Sequence, residues 1–179
     1  MLETAMAGLD RITKDAGKLP AADHSMAVAH QRIGDILWLS GRVADARTHY
    51  GKCRELAEAR LANESANIAA RRDLAAAHEK TGVLDQHGSQ FTPAREHYAK
   101  SLEIRLALTA EAPNDAELQR DLYAAHNRSG DLEHLVGDNR AALRHYESAR
   151  QIQSELLQNG GPDAVPPHDQ ILTLRRLGW

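Results

Sequence analysis

The sequence predicts an all-α chain built from antiparallel helix hairpins, and three observations support this class. A 48-residue register joins matching residues three times along the chain. Within each period, apolar and small residues recur every three or four positions, which is the spacing of one helix face. Breaks containing glycine or proline separate these runs. Aromatic residues make up only 4% of the chain, so the core must consist of closely packed Ala, Leu and Ile.

The register is first visible in three histidines, because His30, His78 and His126 lie 48 residues apart. The same step joins four further sets of residues, which are Gly34, Gly82 and Gly130; Ala46, Ala94 and Ala142; Tyr50, Tyr98 and Tyr146; and the small residues Cys53, Ser101 and Ala149. Three tandem structural units follow from this register.

Each period predicts two helices and a reversal of the chain. In the central period, a first helical run extends from Leu74 to Leu84, and a second one passes through Tyr98 and ends before Pro113. A turn at Gly88 separates the two runs, as turns at Gly41 and Gly137 do in the neighbouring periods. We expect these glycines to adopt the positive φ that ends a helix.

The spacing of these residues resembles that of the tetratricopeptide repeat. Counted from each glycine of the register, an Ala follows after 12 residues, a Tyr after 16 and a small residue after 19. The period of 48 exceeds the usual ~34 residues, and His30, His78 and His126 stand where the family has a bulky aromatic residue. The chain is thus similar to the extended repeats of kinesin light chain and of bacterial signalling proteins. This resemblance implies a right-handed superhelical solenoid of about seven helices.

We expect one repeat domain over residues 1–179, with full repeats at 26–73, 74–121 and 122–168. Residues 2–17 carry an apolar stripe of Leu2, Met6, Leu9 and Ile12, which predicts the second helix of an incomplete upstream repeat. Residues 169–179 predict a partial or capping helix, with Gly178 in register. A fragment of a longer array is the alternative interpretation of both ends.

No sequence feature predicts catalysis, a metal or a cofactor. A glycine-rich phosphate loop, a paired-cysteine motif and an HExxH motif are all missing. The lone Cys53 occupies the small-residue position of its repeat, which favours a buried spacer over a nucleophile. The histidine columns are interpreted as packed rings. A metal-binding or pH-sensing histidine site is a minor alternative, with Asp131 and His134 as its nearest candidates.

Charge and hydropathy restrict the partners. A net charge of -3 disfavours nucleic acid and anionic membranes. No apolar run approaches the ~18 residues of a membrane span, and the first residues lack the features of a secretory signal. We therefore expect a cytoplasmic protein with a protein or peptide as partner.

The resemblance implies that partners bind in a concave groove lined by the first helices. Its implied positions lie three residues before, one after and four after each glycine, namely Gln31, Asp35, Trp38, Glu79, Val83, Gln86, Asn127, Asp131 and His134. Trp38 is either a binding hot spot or a residue packed under the turn. The acidic residues favour a basic or neutral ligand. The alternative function is self-assembly through terminal residues such as Leu172, Leu177 and Trp179.

Overall fold

The structure is a computed structural model that describes residues 20–160, and it confirms the all-α class. These residues form six helices and no strand; the helices are α1 (Pro20–Leu39), α2 (Val43–Asn63), α3 (Ile68–His87), α4 (Phe91–Glu111), α5 (Ala116–Leu135) and α6 (Asn139–Gly160). The predicted helices at 2–17 and 169–179 lie outside the described residues. None of the six helices is long and apolar enough to cross a membrane.

The helices follow the 48-residue register closely. The first helices α1, α3 and α5 begin at residues 20, 68 and 116, and the second helices α2, α4 and α6 begin at residues 43, 91 and 139. Each first helix starts six residues ahead of the predicted repeat bounds at 26, 74 and 122. The chain divides into two compact units, Met1–Leu84 and Asp85–Trp179, so the division falls within α3.

The turns between first and second helices share one geometry. Positive φ occurs at Gly41 (76°), Ser89 (58°) and Gly137 (89°), which lie 48 residues apart. The residue after each of them donates its N–H to a carbonyl five residues back, as in Gln90 N to Asp85 O at 2.8 Å. The expectation of a positive φ at Gly88 is therefore wrong. The helix-ending hydrogen bonds select the position, and Ser89 accepts the left-handed conformation there.

In the first unit, α1 and α2 form an antiparallel hairpin. Ile33 and Leu37 near the end of α1 pack with Ala46 and Tyr50 near the start of α2. Towards the other end of the hairpin, Ala27 packs with Cys53 and with Ala77 of α3. The small side chains at these positions allow the helix backbones to approach closely.

In the second unit, α5 and α6 pack in the same way. Leu122, Tyr123, Ala149, Ile152 and Leu156 form its buried cluster. The alanines and tyrosines of the repeat signature are buried in both units, with exposures of 0 to 4% for Ala46, Tyr50, Ala94, Tyr98, Ala142 and Tyr146. The three signature glycines Gly34, Gly82 and Gly130 are also buried. The core of each unit is therefore formed where the helices cross.

Candidate protein-binding face

The first helices of the first unit lie side by side. His24 Nδ1 is 2.8 Å from Asp73 Oδ2 near their starts, and Lys80 Nζ is 2.7 Å from Asp35 Oδ1 further along. Because both contacts join α1 to α3 in the same order along the chain, the two helices run parallel and adjacent. We call the surface around the second contact the α1–α3 face.

Six of the nine predicted partner-binding residues belong to these two helices, and five of them lie in the first unit; the sixth, Gln86, lies near the end of α3 in the second unit. All five are half-buried; they are Gln31, Asp35 and Trp38 of α1, and Glu79 and Val83 of α3. The three residues of α1 follow one another at spacings of four and three, so they share one side of the helix. The structure thus places these five residues on two helices that are in contact.

Asp35 is engaged by its own repeat. Its Oδ1 accepts a hydrogen bond from the Tyr50 hydroxyl at 2.9 Å and also faces the Lys80 ammonium. Burial, followed by the Asp35 carboxylate, raises the pKa of Tyr50 above its usual value, so the hydroxyl keeps its proton. Lys80 offsets the charge of Asp35, which reduces the acidic character expected of this surface.

Sequence reasoning overlooked Lys80. A basic residue stands two positions before each signature glycine, at Arg32, Lys80 and Arg128. This repeated basic residue is visible in the sequence, because it directly follows a predicted groove residue in every repeat. Its partner was harder to infer, since Lys80 pairs with a residue 45 positions away in the preceding repeat.

The second unit repeats the tyrosine–aspartate contact once. The Tyr146 hydroxyl donates to Asp131 Oδ1 at 3.0 Å. In the central repeat a valine, Val83, stands in the place of the aspartate, and the Tyr98 hydroxyl donates to Gln86 Oε1 at 2.8 Å instead. The tyrosine hydroxyl therefore finds an acceptor on the first helix in all three repeats.

Trp38 packs at the hairpin turn. Its side chain is half-buried against the cluster that contains Ile33, Leu37 and Leu84. Its carbonyl also accepts a hydrogen bond from the N–H of Gly41 at 3.0 Å. Of the two interpretations of this residue, packing beside the turn matches the observed contacts.

Two predicted residues of the second unit have contrasting environments. Asn127 is buried, with 6% exposure, and its amide donates to the carbonyl of Tyr123 at 3.1 Å. His134 is exposed, with Nδ1 at 3.0 Å from Oδ1 of Asn139. The Asn127 amide therefore donates to a carbonyl of its own helix, whereas the His134 side chain is exposed to solvent.

In two of the repeats, a histidine of each helix lies beside a histidine of the other helix of the same hairpin. His30 Nδ1 lies 2.9 Å from His49 Nδ1, and the matching distance between His126 and His145 is 3.2 Å. Burial, followed by the neighbouring His145, lowers the pKa of His126 to about 4. Burial also lowers the pKa of His145. The His126–His145 pair is therefore packed as uncharged rings at neutral pH.

In the described part of the chain, the geometry provides neither a metal centre nor a reactive thiol. No group of three or more His, Cys, Asp or Glu side chains within residues 20–160 is placed to hold a metal ion. Cys53 is fully buried, and its Sγ lies 3.9 Å from the carbonyl oxygen of Asp73. Burial, with a smaller effect of the Asp73 charge, raises the pKa of this thiol to about 12. Cys53 is thus a spacer between helices.

Comparison with known proteins finds a solved structure with a similar fold. No family model matches the sequence, and no curated protein matches it. The crystal structure of BtubC (BKLC) from P. vanneervenii matches with a TM-score of 0.52 and 15% sequence identity. The match covers 99% of this chain and 80% of BtubC. At this identity the likeness concerns the fold alone, and it supports a helical-repeat fold like that of tetratricopeptide repeats.

Proposed function

We propose that this chain is a non-enzymatic interaction module that binds a peptide or a helix of a partner protein along its first helices. The observation that carries this proposal is the side-by-side arrangement of α1 and α3, joined by the Lys80–Asp35 contact. Adjacent first helices provide the continuous shallow surface onto which a helix or an extended segment is laid.

The chemistry of the α1–α3 face favours a ligand of low net charge. Lys80 and Asp35 offset each other. The surrounding Gln31, Val83 and Trp38 are half-buried and contribute an amide, an aliphatic side chain and an indole. Such a mixture suits an amphipathic segment with one apolar residue seated near Trp38. The fold's likeness to BtubC supports the helical-repeat scaffold but carries no information about the partner.

Affinity capture with matched variants tests the proposal. Val83→Arg places a long charged side chain on the α1–α3 face, and Ala59→Arg places the same side chain on an exposed position of α2 in the same unit. The parent protein and Ala59→Arg should retain the same partner, identified by mass spectrometry, and Val83→Arg should lose it. Equal recovery by all three proteins would reject this face as the binding site.

Self-association is a second candidate function. Three large apolar residues are exposed around the first turn, namely Ile36 at 48%, Leu39 at 84% and Val43 at 40%. Burying them against a second copy would be favourable. Light scattering should then show a mass that rises with concentration and returns to that of a monomer in Leu39→Lys. A monomeric mass at every concentration rejects this function. The terminal residues Leu172, Leu177 and Trp179 that first suggested self-association lie outside the described residues.

A further inference from the structure

The carboxylate of Asp35 on the α1–α3 face has an oxygen that can accept a hydrogen bond from a bound partner. Within residues 20–160, the Asp35 side chain makes two polar contacts, and both meet at Oδ1: the Tyr50 hydroxyl donates to it at 2.9 Å, and Lys80 Nζ lies 2.7 Å away. A carboxylate has about four lone-pair sites on its two oxygens. The Asp35 side chain is 26% exposed. Oδ2 is therefore an acceptor that a donor from outside the chain can reach.

The fold itself does not require a charged acceptor at this position. In the central repeat, Val83 occupies the place of Asp35. The Tyr98 hydroxyl of that repeat donates to the uncharged amide of Gln86 at 2.8 Å. A tyrosine hydroxyl donates a single hydrogen bond, which an uncharged oxygen can accept. The charge and the second oxygen of Asp35 therefore exceed what Tyr50 needs.

Lys80 determines which donors fit Oδ2. Its ammonium already offsets the negative charge of Asp35, and its side chain is 30% exposed. A second cation at Oδ2 would lie close to the Lys80 ammonium and would be repelled by it. An uncharged donor, such as the side chain of Asn, Gln, Ser or Thr, gains the hydrogen bond without this repulsion.

An apolar surface lies one helical turn beyond this acceptor. The contact of Lys80 with Asp35 aligns α1 with α3. Trp38 and Val83 lie three residues further along these helices, which is an advance of about 4.5 Å on each. Both residues are half-buried, and Trp38 also packs against a cluster that contains Leu84 of α3. The α1–α3 face therefore presents an acceptor and an apolar surface about one turn apart.

We propose that a partner helix binds this face by donating a hydrogen bond from an uncharged side chain to Asp35 Oδ2 and by packing an apolar side chain against Trp38 and Val83. Residues three or four positions apart on a helix have Cβ atoms about 5–6 Å apart, which matches the separation of the acceptor from the apolar surface. The partner segment therefore carries Asn, Gln, Ser or Thr three or four positions from a large apolar residue. This inference rests on the proposed function and specifies which kind of segment the α1–α3 face recognises.

Selection from a phage-displayed library of random peptides supplies probes for this surface. The full chain is the target, and Val83→Arg serves to remove peptides that bind elsewhere. Enriched peptides should combine a large apolar residue with Asn, Gln, Ser or Thr three or four positions away. No enrichment over Val83→Arg would reject binding on this face, and the inference with it. Enrichment of peptides with Lys or Arg at that spacing would reject the uncharged donor and leave the proposed function standing.

The dissociation constant of the most enriched peptide tests the role of Asp35. In Asp35→Asn, the amide oxygen can still accept from Tyr50, which places the NH2 group at the position of Oδ2, where it faces the donor of the peptide. The dissociation constant should rise at least about tenfold. Asp45→Asn is the control, because it removes the same charge from an exposed residue of α2 in the same unit, and it should change the constant less than about twofold. Equal affinity of the parent and Asp35→Asn would overturn the inference.

A double-mutant cycle separates recognition by Asp35 from a change in the fold of the variant. Replacing the donor residue of the peptide by Ala should weaken binding to the parent at least about fivefold, and it should have little further effect on binding to Asp35→Asn. Equal effects of the peptide change on both proteins would show that Asp35 does not accept the hydrogen bond.

Discussion

The ring of Tyr50 lies directly on Gly34. A Cβ atom added at Gly34 would come within 2.7 Å of Tyr50 Cδ1, and a Cβ added at Gly130 would come equally close to Tyr146 Cδ1. The ring cannot retreat easily, because Tyr50 and Tyr146 are 1% and 4% exposed. The repeated glycine is therefore required by the close approach of a tyrosine and not by a special backbone conformation.

Gly34→Ala should destabilise the protein by about 1–3 kcal/mol, because the buried ring and α1 must move apart. Gly51→Ala is the matched control: Gly51 also lies within a helix, and a Cβ there meets nothing within 4 Å. This control should stabilise the protein by about 0.5–1 kcal/mol, since alanine is the better helix former. Urea unfolding measures both values. A neutral Gly34→Ala would show that the two helices cross elsewhere.

The Arg95–Glu133 pair should contribute more than an exposed pair of the same type. Arg95 donates to both carboxylate oxygens of Glu133, at 2.7 and 2.6 Å, and the Glu133 side chain is only 10% exposed. Arg95→Ala removes both hydrogen bonds from this buried carboxylate and should lower the free energy of unfolding by about 1–3 kcal/mol.

Arg42→Ala is the control for this pair, because Arg42 and Asp45 are 42% and 45% exposed. Loss of the Arg42–Asp45 pair should lower the free energy of unfolding by only ~0–1 kcal/mol. Equal effects of the two alanine variants in urea unfolding would contradict a structural role for Glu133.

Acid should destabilise the second unit through its histidine pair. The pKa of His126 falls from its usual 6.5 to about 4 in the folded protein, mainly through burial. The unfolded chain therefore binds more protons between these two values, and stability must fall as the pH drops from 6.5 to about 4. Unfolding at several pH values measures this slope. His126→Phe should flatten it, and an unchanged slope in that variant would show that other groups cause the acid sensitivity.

Cys53 should be inert in the folded protein. It is fully buried, and its pKa is raised to about 12. A thiol reagent should modify it slowly in native buffer and at once in urea. The variant Cys53→Ala should fold with nearly unchanged stability, because Ala149 occupies the same position in the third repeat. Rapid modification under native conditions would indicate that the α1–α2 hairpin opens readily.

The 48-residue periodicity made the helices predictable, but it did not determine the backbone conformation of every turn residue. The register located every helix of the described range, because equal spacing of packed residues requires equal helices. It could not show that Ser89 takes the positive φ in place of Gly88, since the position is chosen by hydrogen bonds at the helix end.

The candidate site was less predictable than the fold. The predicted groove positions were taken from the general pattern of the repeat family. In this chain, Asn127 at one of those positions is buried and donates a hydrogen bond to its own helix. The pairing of Lys80 with Asp35 depends on how successive first helices align, and spacing within one repeat contains no such information. Contacts between repeats therefore require the structure.

Site-specific photo-crosslinking tests the central claim, that a partner binds on the α1–α3 face, most directly. A photoreactive amino acid is placed at Val83 on this face, and at Ala59 of α2 in a matched protein. Irradiation in lysate should join one polypeptide to the Val83 position and none to the Ala59 position, and excess unlabelled protein should compete it away. The same products from both positions, or none from Val83 under conditions in which the partner is captured, would contradict the claim.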